Sequence, residues 1–78
     1  MSDNGIETVY RHLGKALRAA RKAKNMRQVQ VAEHVGLSKP SISLIEKGRQ
    51  RIMLHDLPKF AAVLGVKPTE LLPPEWSA

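Results

Sequence analysis

The chain has 78 residues, of which 42% are hydrophobic, and its formal net charge is +6. A chain of this length forms one small domain, too small for the large sheets and barrels that carry most enzyme chemistry. It contains no cysteine, which excludes a disulfide framework, a thiolate metal site and a cysteine nucleophile. It has no apolar run of membrane-spanning length and no secretory signal pattern at residues 1–5, so we expect an intracellular, cytoplasmic protein.

The basic residues are unevenly distributed along the chain. Residues 1–52 contain eleven Lys and Arg but only four Asp and Glu, whereas residues 53–78 contain two and three. The net charges of the two parts are therefore +7 and −1. A basic region of this size suits a polyanionic partner, although composition alone is equally consistent with a solvated charged surface.

The first predicted helix runs from Thr8 to about Lys24, after a polar segment, residues 1–7, that we expect to be flexible. This stretch has no proline and is rich in good helix formers. Its apolar residues recur at the spacing of one helical face: Val9, Leu13, Leu17 and Ala20. Asn25 is expected to end the helix, because asparagine tolerates the left-handed conformation.

A second, shorter helix is predicted from about Gln28 to Val35. Gly36 ends it and permits a tight turn. Ala32 provides a small side chain where two helices would cross, and Leu37 can fill the space between them.

The third predicted helix begins at Ser38, whose hydroxyl group can cap it. Pro40 is tolerated in the first turn, where its missing N–H costs little. Ile42 and Ile45 are three residues apart and are expected to point inward. Gly48 is expected to end this helix in the left-handed conformation.

Two further helices are predicted after a basic loop over residues 49–53. The fourth begins near Pro58 and ends at Gly65, with an apolar face of Leu57, Phe60, Ala61 and Leu64. The fifth is short, covers residues 68–72, and is stopped by two prolines at the start of a tail, residues 73–78. No strand pattern is present. The sequence therefore predicts an all-α domain of five helices over residues 8–72.

The second and third helices, joined by a turn of three or four residues, form a helix-turn-helix pattern. In that motif the second of the two helices lies in the DNA major groove, with its N-terminal residues near the base edges.

The segment MRQVQVAEHVGLSKPSISLIEKGR, followed by LPKFAAVLGVKPTELL, resembles the phage-repressor and Cro-type (XRE-like) helix-turn-helix family over about residues 13–72. The matching positions are Arg21, Gln28, Ala32, Gly36, Leu37, Ser38, Ile42, Ser43, Ile45, Glu46, Gly48, Leu64 to Val66, Leu71 and Leu72. This resemblance implies a compact five-helix, lambda-repressor-like domain that binds double-stranded DNA. Such domains are commonly dimeric and regulate transcription in bacteria or phage, in association with the nucleoid.

The resemblance also implies which residues contact DNA phosphates. Gln28 would anchor a phosphate beside the start of the second helix, the alternative being a merely solvated glutamine. Arg27 stands where a Ser, Thr or Asn usually caps this helix, and it adds a phosphate-seeking charge. Lys47, Arg49 and Arg51 follow the third helix and would clamp phosphates, the alternative being a solvated basic loop.

Residues of the third helix are predicted to face the groove: Ser38, Lys39, Pro40, Ser41, Ser43 and Leu44. Lys39 can reach guanine O6 or N7, and a phosphate contact is an equally weighted alternative. The hydroxyl groups of Ser41 and Ser43 can donate to a phosphate or a base. Leu44 can pack on a thymine methyl group or, alternatively, against the fourth helix or a partner. Pro40 and Leu44 replace polar residues that are frequent in the family, so no operator sequence is transferred.

The resemblance gives Arg21 and Glu46 a structural role, as an internal pair that joins the first helix to the third. No catalytic or metal-binding pattern accompanies them. The three histidines, His12, His34 and His55, are about twenty residues apart and lack ligand spacing, and no glycine-rich phosphate loop is present. We therefore expect no enzyme activity, no metal, no cofactor and no small-molecule substrate.

The first functional hypothesis is a sequence-specific DNA-binding transcriptional regulator. One short helix reads only a few base pairs, so we expect a homodimer on a pseudo-palindromic operator. The C-terminal part of the chain is apolar and near-neutral, with Val66, Leu71, Leu72 and Trp76. Part of it must cap the core, and the remainder can serve as the dimer surface.

The alternative hypothesis is a protein-interaction module that also binds DNA, such as an antitoxin that neutralises a partner enzyme. A disordered extension that wraps the partner would distinguish it, and only residues 1–7 and 73–78 are available for that role. A restriction–modification controller protein fits the chain length better, and the sequence does not separate it from a phage repressor.

Overall fold

Four α-helices and three 3-10 turns make up residues 6–76, the part of the chain that the computed structural model describes. The α-helices are α1 (Ile6–Ala23), α2 (Gln28–Val35), α3 (Lys39–Glu46) and α4 (Leu57–Leu64). The 3-10 turns are Leu54–Asp56, Pro68–Leu71 and Pro74–Trp76. The all-α class predicted from the sequence is confirmed, and no strand occurs between residues 6 and 76. Residues 1–5 of the segment predicted to be flexible, and residues 77–78 of the tail, lie outside the described residues.

Several elements differ from the prediction. Helix α1 begins at Ile6, two residues earlier than expected. The fifth predicted helix is a 3-10 turn of four residues, Pro68–Leu71, because the backbone is already extended at Leu72. An unpredicted 3-10 turn, Leu54–Asp56, leads directly into α4. Residues 6–76 therefore contain four α-helices rather than the five predicted.

The predicted helix ends of the helix-turn-helix segment are confirmed. Gly36 has a φ of 76°, and the N–H of Leu37 donates to the carbonyl of Ala32 at 3.0 Å. Gly48 has a φ of 74° and closes α3 in the same way. Because these left-handed conformations favour glycine, both turns are specified locally by the sequence.

The core lies where all four helices meet. Phe60 and Ile42 are each only 1% exposed, and Ile45 is 2% exposed, so the predicted inward face of α3 is confirmed. The other buried apolar residues are Leu13, Leu17, Val31, Ala32, Val35, Ile52, Leu57, Ala61, Leu64 and Leu71. Leu37 is half-buried and packs against the edge of this cluster.

Helix α1 crosses α3 closely at Gly14, a contact that the sequence analysis did not identify. A Cβ atom at Gly14 would lie 2.7 Å from the carbonyl oxygen of Glu46 and closer still to that of Ile45. The crossing therefore depends on the absence of a side chain at this position.

None of the helices between residues 6 and 76 is long and apolar enough to cross a membrane.

Candidate nucleic-acid interface

Helix α3 has one side in the core and the other in solvent. Its inward residues, Ile42, Ile45 and Glu46, are buried. Lys39, Pro40 and Leu44 are exposed, as is Lys47 directly after the helix. Leu44 is 40% exposed although it is a large apolar side chain. This outer side offers a cation near the helix start and an apolar side chain one turn later.

The start of α3 is fixed by two serines that the sequence analysis placed in the groove. The hydroxyl of Ser38 accepts a hydrogen bond from the N–H of Ser41 at 3.2 Å, so the predicted cap is present. The same hydroxyl donates to the Ser41 hydroxyl at 3.1 Å. Ser41 and Ser43 are half-buried. Of the residues in this first turn, Lys39 and Pro40 thus project most freely from the surface.

A buried carboxylate at the end of α3 is held by two side chains from other elements. Arg21 on α1 donates from Nε to Oε2 of Glu46 at 2.7 Å, and from Nη2 to Oε1 at 3.0 Å. Gln28, the first residue of α2, donates from Nε2 to Oε1 at 3.0 Å. This single carboxylate therefore connects α1, α2 and α3.

Arg21 also ties the loop between α1 and α2 to this network. Its Nη1 donates to the carbonyl of Met26 at 2.9 Å. The side chains of Arg21 and Glu46 are 12% and 6% exposed. Hydrogen bonding to Glu46 raises the pKa of the Arg21 guanidinium above its ordinary value, although partial burial opposes that shift. Arg21 is consequently charged throughout the physiological pH range.

The contact between Gln28 and Glu46 bears on the predicted phosphate anchor. Gln28 is half-buried and not merely solvated. Its amide nitrogen carries two hydrogens, and the bond to Glu46 uses one of them. The other remains available to an anion at the start of α2. Sequence reasoning missed this contact because the two residues are 18 positions apart.

The start of α2 carries a partial cap at Arg27. The backbone N–H of Arg27 donates to Oε1 of Gln30 at 2.8 Å. Because a guanidinium has no acceptor atom, the reciprocal bond of a full capping box cannot form. The Arg27 side chain is exposed at this helix start.

The basic residues after α3 separate into two groups. Lys47 and Arg49 are exposed next to the end of the helix. Arg51 lies over the ring of Tyr10, with its guanidinium carbon 5.9 Å from the ring centroid. This cation–π contact holds Arg51 against α1 and was not predicted from the sequence.

Two crevices flank α3 and its following loop. The polar crevice, of about 300 Å³, lies between the three N-terminal helices and is lined by Arg18, Arg21, Gln28, Ser43, Glu46 and Lys47. The apolar crevice has a similar volume, and its lining includes Tyr10, Leu13, Leu54, Leu57, Leu72 and Trp76. The first offers cations and hydrogen-bond donors, and the second offers apolar surface.

A buried acid, Asp56, also escaped the sequence analysis. It is 6% exposed and lies 3.5 Å from Nζ of Lys59 and 3.6 Å from Nε2 of His55. Its position just before α4 indicates a structural role. Among residues 6–76, no group of three or more acidic or histidine side chains is placed to hold a metal ion.

Comparison with protein families gives a match to one family of helix-turn-helix domains. The helix-turn-helix model HTH_3 matches residues 17–71. That range contains α2, α3 and α4 complete, together with the second part of α1. A comparison with curated proteins gives no match.

Several solved structures share the fold. The restriction-modification controller protein C.AhdI from Aeromonas hydrophila is 30% identical, with a TM-score of 0.76 over 81% of this chain and 96% of that protein. The hypothetical transcription factor NHTF from Neisseria is 33% identical, with a TM-score of 0.77 over 90% of this chain and 83% of that one.

An enzyme also contains a similar domain. Hydroxypropylphosphonic acid epoxidase from S. wedmorenis is 25% identical, with a TM-score of 0.81 over 87% of this chain. The match covers only 36% of the epoxidase chain. The similarity therefore concerns a part of that enzyme.

Proposed function

The chain belongs to the HTH_3 family of helix-turn-helix DNA-binding domains, and from this premise we propose that it is a sequence-specific transcriptional regulator. It binds a pseudo-palindromic operator as a homodimer, with α3 in the major groove. The partner is double-stranded DNA, which places the protein with the nucleoid in the cytoplasm. We propose no enzymatic activity, because the epoxidase is matched over only 36% of its length.

The observation that carries this proposal is the division of α3 into a buried and an exposed side. Ile42 and Ile45 are almost fully buried, so they fix the helix to the domain. Lys39 and Leu44 are exposed on the other side and supply chemistry that base edges can use. A lysine can donate to guanine O6 and N7, and a leucine can contact a thymine methyl group.

The residues around α3 support contacts to the DNA backbone. Arg27 and Gln28 lie at the start of α2, where backbone N–H groups favour an anion. Lys47 and Arg49 are exposed beyond the end of α3. Gln28 contacts Glu46, so these groups lie together near the C-terminal end of α3, and their chemistry suits phosphates.

An exposed apolar surface supports the proposed homodimer. We use the name apolar patch for Met53, Leu54 and Trp76, which are 62%, 84% and 59% exposed. Leu54 and Trp76 line the apolar crevice, and Met53 directly precedes Leu54 in the chain. Of the C-terminal apolar residues considered for the interface, Leu71 is part of the core and Leu72 is half-buried, whereas Trp76 is exposed. Met53 and Leu54 come shortly after the end of α3 in the chain, and Trp76 lines the same crevice as Leu54. A contact there would bring two reading helices onto one duplex.

Selection of bound sites from a random DNA library tests the regulator function. We expect enrichment of two inverted half-sites with a fixed spacing, because two copies of α3 would read them. A library that yields no enriched sequence at moderate salt concentration contradicts the proposal. A single, asymmetric enriched site would contradict the homodimer but not sequence-specific binding.

Sedimentation of matched variants tests the dimer surface. Leu54→Lys places a charge in the apolar patch and is expected to give a monomer. Ala62→Lys adds the same charge at an exposed position of α4 and should leave the dimer intact. Trp76 is the only tryptophan, so its fluorescence emission should shift with protein concentration in the parent protein and in Ala62→Lys. It should not shift in Leu54→Lys. Equal association of both variants would place the interface elsewhere.

A restriction–modification controller is the second candidate function. The observation that favours it is the similarity to C.AhdI, which extends over 96% of that protein. The selected operator distinguishes the two candidates. A controller requires an operator beside a restriction–modification gene, whereas operators elsewhere in the genome would favour a different regulator.

A further inference from the structure

Three cations form a row on the outer face of α1, and the site described above does not use this row as a whole. Lys15, Arg18 and Lys22 are all exposed. At 3.6 residues per turn they fall within an arc of roughly 60° around the helix axis. Among the described side chains, none of the three forms a salt bridge with a carboxylate. We call these three residues the α1 cation row.

The α1 cation row continues the surface on which α3 lies. Gly14, one turn before Arg18, is the point where α1 touches the end of α3. Arg18 and Lys47 both line the polar crevice, together with Gln28 and Ser43. A duplex that lies on α3 therefore brings its backbone close to α1 on this side.

The direction of α1 sets where the row would meet DNA. Tyr10, near the start of the helix, lines the apolar crevice beside Leu54 and Trp76. Lys22 follows twelve residues later, about 18 Å further along the helix. In the proposed dimer α1 thus begins near the two-fold axis and carries the α1 cation row away from it.

We propose that the α1 cation row binds the phosphodiester backbone of the DNA that flanks each half-site, on the side away from the two-fold axis. From Lys15 to Lys22 the row extends about 10 Å, the length of about three base pairs of B-DNA. This inference rests on the proposed function and extends it to DNA that α3 does not read. Its contribution is independent of the flanking sequence, because phosphates carry no base identity.

The composition of the row favours a nucleic acid backbone over an acidic protein. Protein interfaces depend on apolar and aromatic anchors at their centre. The residue between Arg18 and Lys22 on this exposed side is Ala19, which offers no such anchor. The neighbouring crevice adds an amide and a hydroxyl, which are donors suited to phosphate oxygens.

Two variants and two duplexes test the proposal. Arg18→Gln/Lys22→Gln removes two charges from the row, and Lys24→Gln/Lys67→Gln removes two exposed charges that lie outside it. Glutamine preserves helix propensity, and thermal melts verify that both variants fold. Affinities are measured by fluorescence anisotropy on two duplexes. The trimmed duplex is the selected operator, cut at its outermost specific base pair on each side. The extended duplex is the same operator with eight further base pairs of arbitrary sequence at each end.

We expect the row variant, Arg18→Gln/Lys22→Gln, to bind the extended duplex at least tenfold more weakly than the parent protein does. Its affinity for the trimmed duplex should be within about twofold of that of the parent protein. On the extended duplex, its log–log salt slope should fall in magnitude by roughly two per protomer. The control variant should match the parent protein on each duplex apart from a small common loss.

Three results would overturn the inference. Equal losses by both variants would indicate a general charge effect. A loss by the row variant on both duplexes would place the row over the half-site. Unchanged affinity of the row variant for both duplexes would show that the row does not bind DNA, which would favour another partner, such as an acidic protein. Failure of the proposed function is a different result, since the parent protein would then bind the operator no better than a scrambled duplex of equal length.

Discussion

Arg21 binds both carboxylate oxygens of Glu46, with distances of 2.7 Å from Nε to Oε2 and 3.0 Å from Nη2 to Oε1. The pair lies at the crossing of α1 and α3, and Gln28 adds a third donor from α2. The position of α3 is therefore fixed by polar contacts as well as by the apolar core.

Removing either partner of this pair should unfold the domain rather than only weaken recognition. Glu46→Ala and Arg21→Ala each leave a buried charge without its partner, which typically costs about 3–5 kcal/mol. A small domain has a total stability of roughly 5 kcal/mol, so both variants approach unfolding. Circular dichroism melts measure this. A Glu46→Ala protein that melts like the parent but does not bind its operator would instead place Glu46 at the DNA interface.

Arg21→Lys should make the stability sensitive to alkaline pH. A lysine paired with Glu46 has a folded pKa above its unfolded value of about 10.4, so its contribution is present below that pH and is lost as pH rises through the folded value. In the parent protein the raised pKa of Arg21 moves this loss to much higher pH. Melts at pH 7 and at a series of pH values above about 10.4 measure the difference. Equal pH dependence of the two proteins would show that the pair contributes little stability.

Gly14→Ala should destabilise the domain although alanine is the better helix former. The added Cβ would press on the backbone carbonyls of Ile45 and Glu46, which cannot move without shifting α3. Overpacking of this kind costs about 1–3 kcal/mol. The control is Ala19→Gly, at an exposed position of the same helix, where glycine should lower the stability by the ordinary propensity difference of about 1 kcal/mol. At Gly14, in contrast, alanine should be the less stable residue. A Gly14→Ala melt above that of the parent would contradict the close crossing.

Lys39→Ala and Arg49→Ala should affect DNA binding differently. If Lys39 contacts a base, its removal relaxes preference at one position of each half-site, by about 1–3 kcal/mol for that base. Arg49→Ala should weaken binding to all sequences and flatten the salt dependence. Binding to an operator and its single-base variants separates the two effects. Equal losses on specific and random DNA by both variants would remove Lys39 as a base-reading residue.

Binding of the parent protein should depend strongly on salt concentration. Residues 1–52 carry a net charge of +7, and neutralising about four to eight phosphates per dimer gives a log–log slope of roughly −4 to −7. A fluorescence-anisotropy titration over increasing salt measures the slope. A value near zero would show that the basic residues do not contact the backbone.

Sequence reasoning predicted the features of this fold that are specified locally. The helix ends at Gly36 and Gly48, and the cap at Ser38, follow from conformational or hydrogen-bonding preferences of single residues. The burial of Ile42 and Ile45 follows from their spacing. These features were sufficient to place a helix-turn-helix and to distinguish the inner from the outer side of α3.

The features that sequence reasoning missed depend on contacts between distant parts of the chain. The bond from Gln28 to Glu46, the crossing at Gly14 and the position of Arg51 over Tyr10 each require the relative placement of two elements. Helical periodicity describes each element alone and carries no signal for such pairs. A glycine inside a strongly periodic helix was the one available indication, since it costs helix stability and therefore implies close packing.

The two-sided construction of α3 also has a consequence for how this domain diversifies. Exposed positions usually tolerate substitution with stability changes within about 0.5 kcal/mol, and Lys39, Pro40 and Leu44 are exposed. The inner residues of the same eight-residue helix, Ile42, Ile45 and Glu46, hold its orientation. Under the proposed function, the target preference of α3 can therefore change by single substitutions at the outer positions, through intermediates that all remain folded.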